Sequence, residues 1–283
     1  MRATMWVWSK RSAVSQEEVW EERFYGNQNV VIRRLRSGKS LRVDLYCKRE
    51  SDALDLMGQY GGIVRNLKEV DWVAESAKPV PPLKIRDSLL VTSETNRAKL
   101  RELQEIRGDR VVMIIPAEMA FGTGDHATTS SCLRFLADEA RRRQAGGWSM
   151  LDLGCGSGVL AIAASLLGAA GCEAMDFDPN AVSVARCNVE RNKAEGVKVS
   201  QSDLDDWSPD GLYDVITANL FATVLQRSFA KMADALAVGG SLIVSGVLQD
   251  QWDDTKEIAQ AAGLTFDVVQ KKGKWIAAKG GLA

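Results

Sequence analysis

The 283-residue chain holds a single histidine, His126, which excludes a histidine-rich metal centre. Its five cysteines, Cys47, Cys132, Cys155, Cys172 and Cys187, are odd in number and scattered, with no Cys-x-x-Cys pair. Neither a disulfide framework nor a zinc site follows, and no metal is expected. No apolar run approaches the ~20 residues needed to span a bilayer. The 36 Lys plus Arg nearly cancel the 37 Asp plus Glu, so the charge excess that nucleic acid or an anionic membrane calls for is missing. Neither is expected as a direct partner. The eight tryptophans do not interleave with basic residues as a nucleic-acid platform would require. The first fifteen residues contain Arg2, Lys10 and Arg11 and no acid, but they have no apolar signal core or small-residue cleavage site. Met5-Trp-Val-Trp8 reads instead as a first strand, and a cytoplasmic protein in a reducing compartment is expected.

What remains is an ordinary globular composition, 46% hydrophobic and 26% charged, in a chain long enough for two domains. Residues 1–67 predict strand, helix, strand, strand, helix, strand, the order of a ferredoxin-like α+β domain. Met5–Arg11 opens it. Ser15, with Glu18 three residues on, forms a capping-box pattern for a helix to about Tyr25. Asn29–Arg36 and Ser40–Cys47 flank Ser37-Gly38 as a hairpin, Ser51–Tyr60 is a second helix, and Ile63–Leu67 is the last strand. Residues 68–92 hold Pro79, Pro81 and Pro82, half of the six prolines, and read as a connector, with Trp72 packing at the junction.

The second domain is expected over 93–283. Asn96–Glu105 reads as a short surface helix before a strand at Val111–Ile115. From Thr128 onward helices alternate with strands at Ser149–Leu153, Cys172–Asp176, Val197–Ser200, Asp214–Ala218 and Leu242–Ser245, which implies a doubly wound, mostly parallel α/β sheet. Only Gln270–Lys274 separates the last two strands, Leu264–Val269 and Trp275–Ala278, too few residues for a crossover, so they form an antiparallel hairpin. A sheet that ends this way resembles class I methyltransferases rather than nicotinamide domains.

Two glycine-rich stretches carry the chemistry. Leu151-Asp-Leu-Gly-Cys-Gly-Ser-Gly158 is a strand running into a glycine loop and a helix. Gly154, Gly156 and Gly158 let the backbone turn tightly against a ligand while the helix N-terminus offers N–H groups. The spacing is G-x-G-x-G, not the G-x-G-x-x-G of dinucleotide folds. Asp176 ends the next strand, where a carboxylate can accept both ribose hydroxyls. Asp178, before Pro179 at the first helical position, is the better helix cap. Asp203 follows the third strand and can receive the exocyclic amine of adenine; the competing reading is a solvated acidic loop with Asp205 and Asp206. Asn219 ends the fourth strand, where its amide can orient an amine substrate or the methionine end of the cofactor, or simply cap the strand. Leu220 and Phe221 replace the Pro-Pro-aromatic run that follows this position in methyltransferases of planar amino groups, which argues against adenine or glutamine-amide substrates.

The other stretch, Met119-Ala-Phe-Gly-Thr-Gly-Asp-His-Ala-Thr-Thr129, adds small residues and hydroxyls at the start of a helix. Thr128 or Thr129 caps that helix, and Thr129 can also bond the cofactor carboxylate. Phe121 lines the sulfonium pocket or packs. His126 is assigned positioning beside the cofactor ahead of direct proton handling. Elsewhere, Arg33, Arg34, Arg36, Lys39 and Arg42 read as a solvated strand face able to steer a partner, and Arg141–Arg143 suit a helix C-terminus.

The 119–129 stretch, Leu151–Gly158, Asp176-Phe-Asp-Pro179, Ala218-Asn-Leu220 and Gly239-Gly-Ser-Leu-Ile-Val-Ser-Gly-Val-Leu248 occur in the order of the PrmA family, which methylates the large-subunit ribosomal protein L-eleven. The chain resembles that family strongly over about 110–280 and weakly at Asp71-Trp72, Lys78-Pro79 and Met5–Trp8. The resemblance implies a ferredoxin-like domain that grips the substrate protein, a linker, and a class I domain in which Thr129, Gly154, Asp176 and Asn219 hold S-adenosylmethionine. The linker lacks the second tryptophan that many members carry after Trp72. The expected activity is protein N-methylation of lysine side-chain or N-terminal amines of that ribosomal protein. A different protein lysine or small amine as acceptor, or a cofactor-binding ribosome-associated module, are the alternatives.

Overall fold

The computed structural model describes residues 5–16, 19–20, 23–24, 30–35, 40–47, 49–67, 81–116, 126–143 and 147–283. The chain divides into two compact units, Met1–Lys78 and Pro79–Ala283.

In the first unit β1 (Met5–Ala13), β2 (Val30–Arg34), β3 (Ser40–Cys47) and β4 (Ile63–Leu67) form one sheet in the order β2-β3-β1-β4, every pair antiparallel. This is the strand order of a ferredoxin-like fold. Period-two alternation turns Trp8 of β1 and Leu41, Val43 and Leu45 of β3 to one face, where they pack with Ala53 of α1 (Glu50–Tyr60). Trp8 is fully buried, and its indole N–H donates to the Gly61 carbonyl at 2.8 Å. Trp20, Phe24 and Tyr60 surround it, the four rings having centroids 5.7–6.3 Å apart, so an aromatic cluster joins the aliphatic side chains of this small core. Of the helix expected to about Tyr25, Val14–Gln16 form a 3₁₀ turn and the Phe24 N–H bonds the Trp20 carbonyl as a helix would. The turn at Ser37-Gly38 and Trp72 lie outside the described residues.

The second unit differs from expectation at its start. Residues 81–92, read from their prolines as connector, contain β5 (Leu83–Ile85) and β6 (Leu89–Thr92), which join β7 (Val111–Ile114) in a three-stranded sheet. Ile85 and Leu89 are fully buried, so hydrophobic burial overrides the proline signal once the chain has turned past Pro82. α2 (Arg97–Ile106) is capped by Asn96, whose side chain accepts from the Ala98 and Lys99 N–H groups.

The main sheet contains β8 (Ser149–Leu153), β9 (Gly171–Asp176), β10 (Val197–Gln201), β11 (Tyr213–Asn219), β12 (Leu236–Leu248), β13 (Leu264–Lys272) and β14 (Trp275–Leu282). Their order is β10-β9-β8-β11-β12-β14-β13. Pairs are parallel as far as β12, and β14 inserts antiparallel between β12 and β13, as the short Gln270–Lys274 connection requires. Helices cover both faces: α3 (Ala127–Arg143), α4 (Val159–Leu166) and α5 (Pro179–Asn192) on one, α6 (Ala222–Ala235) and α7 (Trp252–Ala261) on the other. Met150 and Val215 face the first group, while their chain neighbours Leu151 and Ile216 face the second. Phe229 is fully buried in the second layer and contributes roughly 2–3 kcal/mol of transfer free energy. No helix among the described residues is long and apolar enough to cross a membrane.

Candidate active site

Parallel register aligns the carboxyl ends of the central strands: Leu153 lies beside Met175 and Ala218, and Asn219 beside Ser245. Each chain then leaves the sheet through a short loop, so Gly154–Gly158, Asp176 and Asn219 meet at one crest. This is where ligands bind in such sheets.

The three glycines of the loop are left-handed, with φ of +68° at Gly154, +53° at Gly156 and +78° at Gly158. Close approach adds to the need for glycine at the first position. A Cβ on Gly154 would lie 2.3 Å from Leu220 Cδ2. Gly158 caps α4 with no side chain to offer. Asp152 replaces that cap from below. It is 1% exposed, and it accepts from the Thr217 hydroxyl at 2.6 Å and from the Ala161 N–H in the first turn of α4. Burial pushes its carboxyl up to about 7, the nearby Asp176 charge adds to the rise, and those two hydrogen bonds offset part of it. With its oxygens so engaged, Asp152 fastens α4 to β8 and β11 instead of facing a substrate.

Asp176 sits at the rim, 8% exposed. Its Oδ2 accepts from the Gly156 N–H at 2.8 Å and its Oδ1 from the Asp178 N–H at 3.0 Å. Each oxygen keeps a second lone pair, enough for two hydroxyl donors. Asp178 caps α5 through the Asn180 N–H at 2.9 Å with Pro179 at the first helical position, as its sequence context requires. Asp203 is exposed and its Oδ1 accepts from the Asp205 N–H at 2.9 Å, which gives it the turn-forming bond of the solvated-loop reading. It follows β10, whose last residue pairs with Asp176, so it remains on the same side of the crest.

The second glycine-rich stretch enters the crest through the start of α3. Thr128 and Thr129 are buried, and the Asn219 Nδ2 donates to Thr129 Oγ1 at 3.4 Å across ninety residues of sequence. That bond turns the Asn219 carbonyl oxygen the other way, where it is buried and has no hydrogen-bond partner among the described residues. A buried acceptor without a donor costs about 1–3 kcal/mol, so a ligand N–H is the expected complement. His126 begins α3: its carbonyl accepts from the Ser130 N–H at 2.9 Å and its Nδ1 lies 2.8 Å from Thr128 Oγ1. Its ring meets Trp275 of β14 edge-on at 5.6 Å. These contacts suit positioning of the helix start. Phe121, Gly122 and Gly124 lie outside the described residues.

Three features of the site were not singled out from the sequence. Gly246, at φ +90°, lets β12 pass against the Leu220 backbone, where a Cβ would come within 2.3 Å of the Leu220 oxygen. A lone glycine inside a strand signals such an approach and could have been found. Trp275 beneath His126 had no local signal. Asn188 and Asn192 of α5 are the third, and both continue the buried stripe of Ala181 and Ala185.

The family model described as Ribosomal protein L11 methyltransferase (PrmA) matches residues 8–281. The ribosomal protein L11 methyltransferase of Ralstonia pickettii is 34% identical over 217 residues, covering 77% of this chain and 67% of that protein. The protein of the same name from Pelotomaculum thermopropionicum is 37% identical over 214 residues, covering 75% of this chain and 66% of its own. The match therefore spans about two thirds of the length of these relatives. The crystal structure of ribosomal protein L11 methylase from Lactobacillus delbrueckii subsp. bulgaricus shares the fold, with a TM-score of 0.58 at 24% identity over 72% of this chain and 99% of that one. The glycine crest, the terminal antiparallel hairpin and these matches agree: the chain belongs to the ribosomal protein L11 methyltransferase (PrmA) family of S-adenosylmethionine-dependent methyltransferases.

Proposed function

We propose that this chain methylates amines of ribosomal protein L11, at lysine side chains, the N-terminus or both, through residues gathered at the crest. The observation that carries the reading is the buried Asn219 carbonyl oxygen, which lacks a partner among the described residues and belongs to the residue that bonds Thr129 at the end of β11. When bound, S-adenosylmethionine supplies an already activated sulfonium methyl, so the protein's work is alignment and desolvation. In this assignment Asp176 accepts the ribose hydroxyls and the backbone of Gly154, Gly156 and Gly158 lies along the cofactor. Asp203 receives the adenine amine. Thr129 and Asn219 hold the amino-acid end, where the Asn219 carbonyl also orients the incoming amine. Thr128 and His126 fix the start of α3, and Phe121 lines the sulfonium pocket.

A lysine amine, with an ordinary pKa near ~10.4, must lose its proton before it attacks. An apolar pocket beside a sulfonium lowers that value, and solvent takes the proton, since Asp152 is committed to Thr217 and α4. The first unit, Met1–Lys78, is the substrate-gripping domain in this reading, and the second, Pro79–Ala283, which includes the strands of the expected linker, is the catalytic one; a ribosomal substrate is consistent with reaction in the cytoplasm and requires neither direct nucleic-acid nor membrane contact. The test is mass measurement of unmethylated ribosomal proteins after incubation with the enzyme and labelled cofactor. Methyl groups on L11 amines are expected; a labelled protein other than L11, or none, rejects the substrate assignment. Asp176→Ala should abolish cofactor binding, and an unchanged affinity by calorimetry removes the ribose assignment.

A further inference from the structure

The glycine loop is gripped from two sides. On one side the Asp176 carboxylate takes the Gly156 N–H. On the other, the Asn188 Nδ2 of α5 donates to the carbonyl of Ser157, the next residue, at 3.0 Å. Asn188 is fully buried, and its Oδ1 accepts from Arg191, which fixes the amide so that its N–H groups face the loop. One turn earlier, Ala185 makes the close approach that needs Gly158: a Cβ there would lie 3.2 Å from the Ala185 Cβ.

Asn192, one turn later, ties α5 to β7. Its Nδ2 donates to the Ile114 carbonyl at 2.7 Å and to the Asn188 carbonyl at 2.9 Å, while its Oδ1 accepts the Ile114 N–H at 2.7 Å. It therefore satisfies both backbone groups of one residue on the open edge of the three-stranded sheet, as a neighbouring strand would. The hydrogen-bonded polar groups run in an unbroken series from the buried Ser157 and Asn188 to the half-buried Asn192 and Ile114.

We propose that Asn188 and Asn192 are positioning residues for the cofactor: they hold the glycine loop in its binding shape before the ligand arrives. Three glycines in a five-residue loop give the chain much freedom to lose on binding. Anchoring consecutive groups, the Gly156 N–H and the Ser157 carbonyl, from opposite sides removes that cost in advance. Neither asparagine touches the cofactor in this scheme. The inference rests on reading Gly154–Gly158 as the cofactor cradle.

The experiment is calorimetric titration of the full chain with S-adenosylhomocysteine, alongside thermal unfolding. Asn188→Ala should weaken binding by about tenfold or more, and Asn192→Ala by several-fold, because the first removes the side-chain donor to the buried Ser157 carbonyl and the second the side-chain partner of the half-buried Ile114 backbone groups. Val189→Ala, on the same helix and packed against the core, is the comparator: it lowers Tm but leaves affinity within about twofold. Asn192→Asp keeps the acceptor for the Ile114 N–H and loses the donor, so it should fold and show an intermediate loss. Asparagine variants that lower Tm yet bind as tightly as the wild type overturn the inference, as does a Val189→Ala variant that loses affinity in proportion to its Tm. A wild-type chain that binds no S-adenosylhomocysteine overturns the cradle reading and this inference together; wild-type binding with unaffected asparagine variants overturns the inference alone.

Discussion

Asp152→Asn should change sign in its effect on stability as pH changes. The Asp152 carboxyl is fully enclosed and pushed from an ordinary 3.8 up to about 7, burial being the main cause. A folded-state pKa above the unfolded one means that the native chain holds this proton longer. The stability it contributes is therefore intact below about pH 4 and is lost as pH rises through about 7. The rise of roughly three units corresponds to about 4 kcal/mol of penalty once the group is ionised in both states. Asparagine carries no charge and removes that penalty, but it sets an amide N–H₂ where a carboxylate accepted two donors, at a cost of about 1–3 kcal/mol. At pH 8 relief exceeds cost, and Asp152→Asn should be the more stable by about 2 kcal/mol. At pH 4 the relief is gone, and the variant should be the less stable by about 1–2 kcal/mol. Urea unfolding of both proteins at pH 4, 6 and 8 measures the difference directly, and titrations common to both cancel. A difference that stays constant across this range refutes the reasoning, because the loss would then come from hydrogen bonding alone.

Glu139 should behave in the opposite sense. Burial raises its carboxyl, but hydrogen bonds from Arg142, Lys279 and Ser241 outweigh that and hold it down to about 2, against an ordinary 4.5, so its stabilisation is present above pH 4.5 and lost as pH falls toward 2. Glu139→Gln should cost about 3 kcal/mol at pH 7 and almost nothing near pH 2, checked by denaturation across that range. Gly154→Ala should cost about 2–4 kcal/mol from left-handed strain and the clash with Leu220, more than Gly158→Ala, whose Cβ would come no nearer than 3.2 Å to Ala185 and 3.5 Å to Ile162; equal losses in Tm would contradict the close approach. Asn219→Ala should lower kcat on L11 by about a hundredfold while folding is retained, and undiminished turnover would remove Asn219 from the reaction.

What was legible in the sequence was local or periodic. The Asp178-Pro179 cap needed only two adjacent residues, and the terminal hairpin followed from a connection too short for a crossover. The order of the first four strands was readable because alternation in β1 and β3 is set by burial on one face. The strands at 83–92 were missed for the converse reason: β5 and β6 have three and four residues, and β6 gains its second partner only when β7 arrives from beyond a helix. Asn219 could be placed at a strand end, but its bond to Thr129 joins residues ninety apart and no window shows it. Asn188 and Asn192 were not singled out, because asparagine on a helix is usually exposed. Their spacing on the Ala181–Ala185 stripe was the signal against that.

Asp152 and Asp176 show why residue type alone could not assign their roles. Asp176 ends β9 and Asp152 is the last residue but one of the neighbouring β8. Depth separates them. Asp152 lies one layer down, where the Thr217 hydroxyl and the first turn of α4 consume its oxygens and burial raises its proton affinity. Asp176 is at the rim, where two backbone N–H groups orient it and leave lone pairs toward the crest. A carboxylate that fastens a helix from beneath and one that presents acceptors from above require the same residue type, so only position in the sheet distinguishes scaffold from site. The same logic separates Asn188 from Asn219: both amides are held by neighbours, but both polar atoms of the Asn188 amide are bonded while Asn219 keeps one buried oxygen without a partner among the described residues. It is at the unfilled acceptor that an amine-bearing ligand gains most, because binding there supplies the hydrogen bond that folding left out.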